Sequence, residues 1–194
     1  MDIQVRANLW RVEMITDIKI GITGLPGAGK TKTLLRVIEM LSSEELKIGG
    51  MISEPIADGR RKVGFSVRNI ITKESQVFAH MNIESRITDG KMGVDLAKFE
   101  SIAVNAIRDA CETCDIIVID EVGKVEVESQ AFIDAVKYAL DAGKPMLLTL
   151  HKKSRNPLLQ DIRRRDDVRI LEVTPTNRNL LPHKIIRLMN GENM

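Results

Sequence analysis

The stretch Gly21-Ile22-Thr23-Gly24-Leu25-Pro26-Gly27-Ala28-Gly29-Lys30-Thr31 decides the fold of this chain. Its spacing matches the pattern GxxxxGKS/T of a phosphate-binding loop at Gly24, Gly29, Lys30 and Thr31. An apolar run precedes the match and an amphipathic run follows it, which is the strand and helix context that such a loop requires. The alternative is a glycine-rich turn that binds nothing, and the full match with its flanks favours the phosphate-binding loop.

The chemistry expected of this loop is the binding of a polyphosphate. Backbone N–H groups have to turn inward around the phosphates, and glycines allow this because they lack the Cβ atom that obstructs it. The helix that starts near Lys30 adds its unpaired N–H groups and the positive end of its dipole. We expect Lys30 to be catalytic and to reach the β- and γ-phosphates, and the Thr31 hydroxyl to ligate Mg²⁺. The predicted nucleotide-binding residues of the loop are Gly24, Leu25, Pro26, Gly27, Ala28, Gly29, Lys30 and Thr31.

Chain length, net charge and apolar runs in the sequence limit the predicted domain organisation, partners and location of the protein. We predict an N-terminal extension over residues 1–17, in which Met14 is an alternative start, and one domain over residues 18–194. The net charge of +2 indicates no strong nucleic-acid signal and no attraction to a membrane surface. We expect a cytoplasmic protein, because the sequence shows neither a long apolar run nor the pattern of a signal peptide.

The two cysteines, Cys111 and Cys114, form a single CxxC late in a predicted helix. A structural zinc site needs a second pair of ligands, which this motif does not provide. We therefore predict two reduced thiols.

Strand patterns alternate with helix patterns along the chain, which predicts an α/β fold with a mainly parallel sheet and helices on both faces. Pro55 is expected to break the second strand, and the segment after it to form antiparallel strands appended to the sheet. The predicted strands are Ile18–Ile22, Met51–Glu54, Val63–Ile70, Ser75–Ala79, Ile116–Ile119, Pro145–Leu150 and Val168–Val173. The predicted helices follow the loop, follow a cap at Asp95, and cover Ser129–Ala142, Leu158–Arg165 and Leu180–Met189.

Two acidic residues, Asp120 and Glu121, follow four branched apolar residues that read as a buried central strand. Ligands of doubly wound sheets bind at the carboxyl ends of the strands, so Asp120 is expected beside the phosphate-binding loop. There Asp120 can help to hold Mg²⁺, and Glu121 can orient or deprotonate a water. The alternative is a solvated strand end.

Together these segments resemble the thermophile-type nucleoside-triphosphatase family, which includes a human cancer-related nucleoside-triphosphatase. The resemblance runs from about Ile18 to the last helix. The blocks that carry it are Gly24–Thr31, Gly59–Phe65, Val94–Leu96 with Phe99 and Glu100, Val118–Glu126 and Asn177–Asn179.

The resemblance implies a three-layer P-loop NTPase fold of the RecA-like type. In this type another strand, here Pro145–Leu150, separates the loop strand from the acidic strand, and Thr149 would be a polar sensor near the γ-phosphate. It also implies Mg²⁺-dependent hydrolysis of ATP, GTP, CTP and other nucleoside triphosphates with little base preference. The predicted nucleotide contacts beyond the loop are Asp120, Glu121, Val122, Gly123, Lys124 and Arg178, and for Lys124 a surface position is the open alternative. The sequence departs from the family at Val125 and Val127, and we match His151-Lys152-Lys153, which follows the sensor strand, to no family block.

Several charged residues have two open readings. Arg163 and Arg165 either stabilise the transition state or favour a helix C-terminus. Arg60 and Arg61 belong to a solvated turn or to a lid. Glu54 either faces the γ-phosphate or an acceptor hydroxyl that it would activate, or simply ends a strand. Arg178 either stacks on the base or lies in a loop where Asn177 caps the last helix. No chemistry is assigned to His80, His151 or His183.

Three functions compete at this point. The first is a nucleoside-triphosphatase, in which Lys30, Thr31, Asp120 and Glu121 act on the triphosphate. The second is a kinase that transfers the γ-phosphate to a small acceptor. The third is a nucleotide-switched binding module, although an Asn-Lys-x-Asp guanine reader is absent from the sequence. We expect nucleoside triphosphates as ligands of a monomer or weak oligomer.

Overall fold

The computed structural model describes residues 17–42 and 46–192, so the predictions for most of the N-terminal extension lie outside the described residues. The strands, numbered in chain order, are β1 (Lys19–Gly24), β2 (Ile48–Asp58), β3 (Arg61–Asn69), β4 (Ser75–His80), β5 (Thr88–Asp89), β6 (Met92–Val94), β7 (Ile116–Val122), β8 (Met146–His151) and β9 (Val168–Glu172). The helices are α1 (Lys30–Leu41), α2 (Leu96–Thr113), α3 (Gln130–Leu140), α4 (Pro157–Arg164) and α5 (Leu181–Met189).

Three of the helices, α2, α3 and α4, start where a short polar side chain accepts a hydrogen bond from the first turn. Asp95 accepts one from the N–H of Lys98 and caps α2, as predicted. Ser129 does the same for Phe132 at the start of α3. Asn156 caps α4 directly before Pro157, which suits the first helical position because proline has no N–H to leave unpaired.

The nine-stranded sheet has the order β5-β6-β4-β3-β2-β7-β8-β1-β9. The strands from β2 to β9 in this order pair in parallel, and β3, β4, β5 and β6 extend the sheet as antiparallel strands. β8 lies between β1, which leads into the phosphate-binding loop, and β7, which carries the acidic pair. The predicted P-loop NTPase fold of the RecA-like type is therefore confirmed.

The prediction that Pro55 breaks its strand is wrong, because β2 continues through this residue to Asp58. β2 pairs with β7 only as far as Ile52, whereas its pairing with β3 continues to Asp58. Beyond Ile52 the β7 side of β2 is therefore an edge, where a missing N–H breaks no ladder hydrogen bond. Consequently Glu54 lies within a strand and not at its end.

Alternate residues of the central strands fill an apolar core on each face of the sheet. On β7, Val118 packs into the core beneath α1 and α5, which we call the α1 face. Ile119 packs into the core beneath α2, α3 and α4, which we call the α2 face. The sheet and these two helical layers form the predicted three-layer architecture.

The described helices also bear on two other predictions. Cys111 and Cys114 are buried and free, the former within α2 and the latter at its end. No helix in the described ranges has both the length and the apolar character that crossing a bilayer requires.

Candidate active site

The loop between β1 and α1 has the predicted glycine-dependent backbone. β1 ends at Gly24 and α1 begins at Lys30. Gly27 and Gly29 have φ angles of 76° and 105°, in the left-handed region that favours glycine. Gly24 is needed for another reason, since a Cβ atom there would lie 2.8 Å from the carbonyl oxygen of Val173. The loop thus has two glycines with positive φ angles, Gly27 and Gly29, and a third glycine, Gly24, that permits close packing.

Asp120 lies near the carboxyl end of β7 and is 1% exposed. The Thr149 hydroxyl donates a hydrogen bond to Oδ1 of this carboxylate over 2.6 Å, and the Thr31 hydroxyl donates to the same atom over 3.3 Å. Burial raises the pKa of Asp120 to about 6, against the lowering effect of these two hydrogen bonds. Thr149 thus holds the carboxylate through the same hydroxyl that, according to the family resemblance, would sense the γ-phosphate.

These side chains fit the predicted Mg²⁺ ligands. Oδ2 of Asp120 is buried and has no hydrogen-bond partner among the described residues. Mg²⁺ prefers oxygen ligands, and in phosphoryl-transfer sites it takes one or two from the protein and the others from water and phosphates. The described ranges contain no cluster of three or more His, Cys, Asp or Glu side chains that could hold a metal ion. The donor set therefore suits an ion that binds together with a nucleotide.

Glu121 also faces the phosphate-binding loop, and its Oε2 lies 3.4 Å from Nζ of Lys30. In a regular strand Asp120 and Glu121 would point to opposite faces of the sheet. The register of β7 against β8 shifts between Ile119 and Val122. This irregularity re-aims the side chains so that both carboxylates reach the loop.

Buried polar atoms without partners gather at this edge of the sheet. In the part of the chain that the structure describes, they are Ser53 Oγ, Asp120 Oδ2 and His151 Nδ1. These residues lie on the neighbouring strands β2, β7 and β8. Ser53 follows Ile52, the partner of Asp120 in the β2–β7 register, so strand alternation points its side chain to the α2 face, whereas Asp120 and His151 lie on the α1 face. Buried polar groups in folded proteins are nearly always hydrogen-bonded. The edge therefore indicates a binding site for a polar ligand.

The segment after Glu121 contains three further predicted nucleotide contacts. Val122 is fully buried in the core of the α2 face. A Cβ atom on Gly123 would lie 2.5 Å from Oε2 of Glu126, so this glycine permits a close approach. The side chain of Lys124 is exposed and lines a surface cavity. Direct nucleotide contact by these residues stays a prediction.

Sequence reasoning did not single out Glu126, which is half-buried beside the acidic pair. Burial and, to a smaller extent, the charges of Glu121, Asp89 and Asp120 together raise the pKa of its carboxyl group to about 8. Only the tertiary structure brings Asp89 of β5 to this place, so no local sequence pattern signals the environment of Glu126.

Glu54 does not lie free near the loop. Arg68 of β3 donates to both of its carboxylate oxygens, over 3.1 Å from Nε and 2.6 Å from Nη2. The Arg68 hydrogen bonds lower the pKa of Glu54 despite partial burial. This pairing across the β2–β3 hairpin weakens the reading in which Glu54 activates an acceptor.

The basic residues at the C-terminal end of α4 have structural contacts. Arg163 donates to the carbonyl oxygens of His151 and Ser154, over 2.6 Å and 3.0 Å, and so holds the segment after β8. Arg165 contacts the carboxylates of Asp141 and Asp167. Neither contact requires a nucleotide, so both favour the structural reading of this cluster.

The remaining candidates lie in exposed loops. Arg60 and Arg61 are exposed at the β2–β3 turn, and Arg178 is exposed between β9 and α5. The alternative in which Asn177 caps the last helix is wrong, because α5 has Leu180 as its N-cap and no side-chain cap. The Asn177 side chain instead accepts from the N–H of Thr174 and donates to the carbonyl of Glu172. Asn177 therefore braces the loop that presents Arg178.

The fold, the glycine loop and the acidic pair together define the class of P-loop nucleoside-triphosphatases. A family model described as NTPase matches residues 19–186. The chain belongs to this family, which confirms the resemblance seen in the sequence.

Relatives and solved structures agree with this assignment. The nucleoside-triphosphatase THEP1 of Thermoplasma volcanium is 38% identical over 175 residues, which cover 90% of this chain and 98% of the relative. The crystal structure of THEP1 from Aquifex aeolicus matches with a TM-score of 0.76 and 29% identity, covering 89% of this chain and 99% of that one. The solution structure of a human cancer-related nucleoside triphosphatase matches with a TM-score of 0.76 and 31% identity, covering 91% of this chain and 100% of that one.

Proposed function

We propose that this enzyme of the NTPase family hydrolyses nucleoside triphosphates to diphosphates and phosphate, with Mg²⁺ and with little base preference. The observation that carries the proposal is the convergence of Lys30, Thr31, Asp120 and Glu121 at the carboxyl edge of the sheet. The names of the relatives as nucleoside-triphosphatases support the same reaction.

In the proposed reaction a water oxygen bonds to the γ-phosphorus while the bond from this phosphorus to the β–γ bridging oxygen breaks. Glu121 accepts the proton of the attacking water. Lys30 and the N–H groups of the loop stabilise the charge that develops on the phosphate oxygens. Thr31 and Asp120 hold Mg²⁺, which supplies further positive charge when it is bound.

The Lys30–Glu121 contact couples substrate binding at Lys30 to the availability of Glu121 as a base. Without a nucleotide, the ammonium group of Lys30 lies beside the carboxylate of Glu121. A γ-phosphate competes for this ammonium group, because it carries more negative charge than one carboxylate. Substrate binding then frees an oxygen of Glu121 to accept the proton of water.

Broad base use is expected from the exposure of Arg178 in the loop before α5. A guanidinium group can stack on any base, and stacking does not read the hydrogen-bonding edge. We propose Arg178 as this contact.

The test is phosphate release from ATP, GTP, CTP and UTP with and without Mg²⁺. We expect release from all four only with the metal ion, and a loss of about 100-fold or more in Glu121→Gln. Glu74→Gln is the matched control, since Glu74 is an exposed residue of the β3–β4 turn. Nucleotide binding without phosphate release by the natural protein would contradict the proposed hydrolysis.

A further inference from the structure

Glu126 carries a carboxyl group beside the active site that the proposed reaction does not use. Its Oε2 atom lies 2.5 Å from the position that a Cβ atom on Gly123 would take, and Cγ of Glu121 lies 3.5 Å from the same position. The carboxyl group of Glu126 and the side chain of Glu121 are therefore neighbours across the backbone of Gly123. Glycine permits this approach, because a Cβ atom there would collide with the Glu126 oxygen.

The segment that carries Glu126 is held in place by the protein core. Val125 packs in the core of the α2 face. The carbonyl oxygen of Glu126 accepts a hydrogen bond from the N–H of Ser129 over 3.2 Å. Ser129 is buried, and its hydroxyl donates to Glu100 of α2 over 2.6 Å. Glu126 thus has the fixed support that is needed by a group that orients a catalytic side chain.

The surroundings of Glu126 favour its neutral form. Within the described ranges it forms no ion pair, whereas Glu121 has the ammonium group of Lys30 at 3.4 Å. The negative charges of Glu121, Asp89 and Asp120 face it, and together with burial they raise the pKa of Glu126 to about 8. Like charges held close together disfavour ionisation of both groups. At pH 7 the Glu126 carboxyl group therefore holds a proton that it can donate.

The charged residues on the other side of this segment are exposed to solvent. Lys124 and Glu128 flank Glu126 along the chain, and with Arg86 they line a surface cavity. They are not among the main influences on the Glu126 carboxyl group. Its protonation is thus governed from the side of the acidic pair.

We propose that Glu126 is a positioning residue, whose neutral carboxyl group donates a hydrogen bond to the carboxylate of Glu121 when Lys30 moves to the γ-phosphate. Glu121 loses its ion-pair partner in this step, and a hydrogen bond from an O–H group to a carboxylate is strong enough to keep it oriented. One oxygen of Glu121 accepts this hydrogen bond, and the other accepts the proton of the attacking water.

The first test observes the carboxyl carbons of the natural protein by nuclear magnetic resonance, with Glu126→Gln to assign the signal. We expect Glu126 to be neutral at pH 7 and to ionise near pH 8 in the nucleotide-free protein. A non-hydrolysable triphosphate with Mg²⁺ should shift its signal and leave the group neutral at pH 7. An ionised Glu126 at pH 7, or a signal that the nucleotide does not change, would overturn the proposal.

The inference rests on the proposed hydrolysis, but this first measurement needs no turnover. A protein that releases no phosphate would contradict the hydrolysis, whereas the state of Glu126 would still be measured. An ionised Glu126 in an active enzyme would contradict only the positioning role.

The second test measures kcat and KM as a function of pH. Glu126→Ala should lower kcat by about tenfold, the size of one lost hydrogen bond to a charged group, and leave KM unchanged because Glu126 does not touch the nucleotide. Glu126→Gln retains an N–H donor, so its kcat at pH 7 should stay within about threefold of the natural value. Glu128→Gln, an exposed residue of the same turn, is the matched control.

The pH profile separates a positioning role from a purely structural one. In the natural protein kcat should fall as the pH rises through about 8, because ionised Glu126 has no proton to donate. In Glu126→Gln this fall should be absent, since the amide does not ionise. An alkaline fall that persists in Glu126→Gln, or a Glu126→Gln variant as slow as Glu126→Ala at pH 7, would contradict the proposed hydrogen bond.

Discussion

At the amino ends of the parallel strands charged groups are paired, whereas at the carboxyl ends buried polar atoms of the described chain have no partner. Lys19 at the start of β1 lies 2.9 Å from Asp167, which Arg165 also contacts. Just before β7, Asp115 accepts a hydrogen bond from the N–H of Lys47 over 2.7 Å. The polar groups at the amino edge are thus satisfied by the protein itself.

This difference shows that the two edges of the sheet have different roles. The amino edge contributes to stability, and the carboxyl edge provides the binding site. Paired charges at the amino edge stabilise the fold without any ligand. At the carboxyl edge, Asp120 is buried with one oxygen unpartnered, which destabilises the empty protein but prepares it for a cation and phosphates. The same substitution, aspartate to asparagine, can be made at both edges, and the account predicts opposite outcomes.

The largest expected effect is on turnover at the carboxyl edge. Asp120→Asn should lower Mg²⁺-dependent phosphate release by about 100-fold or more, because the amide removes the negative charge that holds the metal ion. Asp167→Asn at the amino edge should keep the turnover of the folded enzyme. Steady-state phosphate release at saturating nucleotide measures both, and equal losses in the two variants would break the comparison.

The next effect is a gain in stability from Asp120→Asn. Burial raises the pKa of Asp120 in the folded protein to about 6, so its charged form opposes folding as the pH rises from about 4 to 6. The neutral amide removes this penalty and should stabilise the metal-free protein by about 1–3 kcal/mol at pH 7. Urea unfolding at pH 7 and at pH 4 measures this. The gain should shrink at the lower pH, and a loss of stability at pH 7 would contradict the account.

Asp167→Asn should lower stability by about 1–2 kcal/mol, because it leaves the ammonium group of Lys19 without its partner. The side chain of Lys19 is only 5% exposed, whereas that of Asp167 is 40% exposed, so solvent screens part of the interaction. Urea unfolding at pH 7 gives the difference. A variant as stable as the natural protein would show that the amino edge does not depend on this pair.

The contribution of Asp167 to stability depends on pH with the opposite sign to that of Asp120. Hydrogen bonds from Arg165, and the nearby Lys19, hold the pKa of Asp167 well below its ordinary value despite partial burial. Its contribution to stability is therefore complete above the unfolded pKa of about 3.9 and is lost as the pH falls through the folded value. The natural protein and Asp167→Asn should converge in acid.

The smallest expected effect is that of Glu54→Gln. Glu54 is paired with Arg68, and both side chains are partly exposed, so the loss in stability should stay below about 1 kcal/mol. Turnover should stay within about twofold, because the pair does not touch the acidic site. A tenfold or larger fall in turnover would instead show that Glu54 takes part in the reaction and that the active site extends to this part of β2.

The sequence was sufficient for features whose cause is local. The loop was predicted because glycine spacing, the lysine and the threonine are all required within a few residues. The insertion of β8 between β1 and β7 came only from the family resemblance, since strand order depends on contacts between distant segments. The prediction that Pro55 ends its strand was wrong because the strand-breaking effect of proline depends on strand pairing. One side of β2 is unpaired at Pro55, and the local sequence does not show this.

Features that depend on register could not be predicted. Thr149 and His151 have the same two-residue alternation as any strand, and only the pairing with β7 and β1 shows that they face Asp120 and Gly24. The Lys19 and Asp167 pair likewise joins residues that are far apart in the sequence.

The most direct measurement is thermal unfolding of the natural protein, Asp120→Asn and Asp167→Asn with a non-hydrolysable nucleoside triphosphate, each with and without Mg²⁺. Ligand at about 100 times its Kd stabilises a protein by about 2.7 kcal/mol. The account predicts that Mg²⁺ strengthens the stabilisation by nucleotide in the natural protein and in Asp167→Asn, but not in Asp120→Asn. Stabilisation that is independent of Mg²⁺ in all three proteins, or absent from all three, would contradict the claim that the carboxyl edge is the metal and nucleotide site.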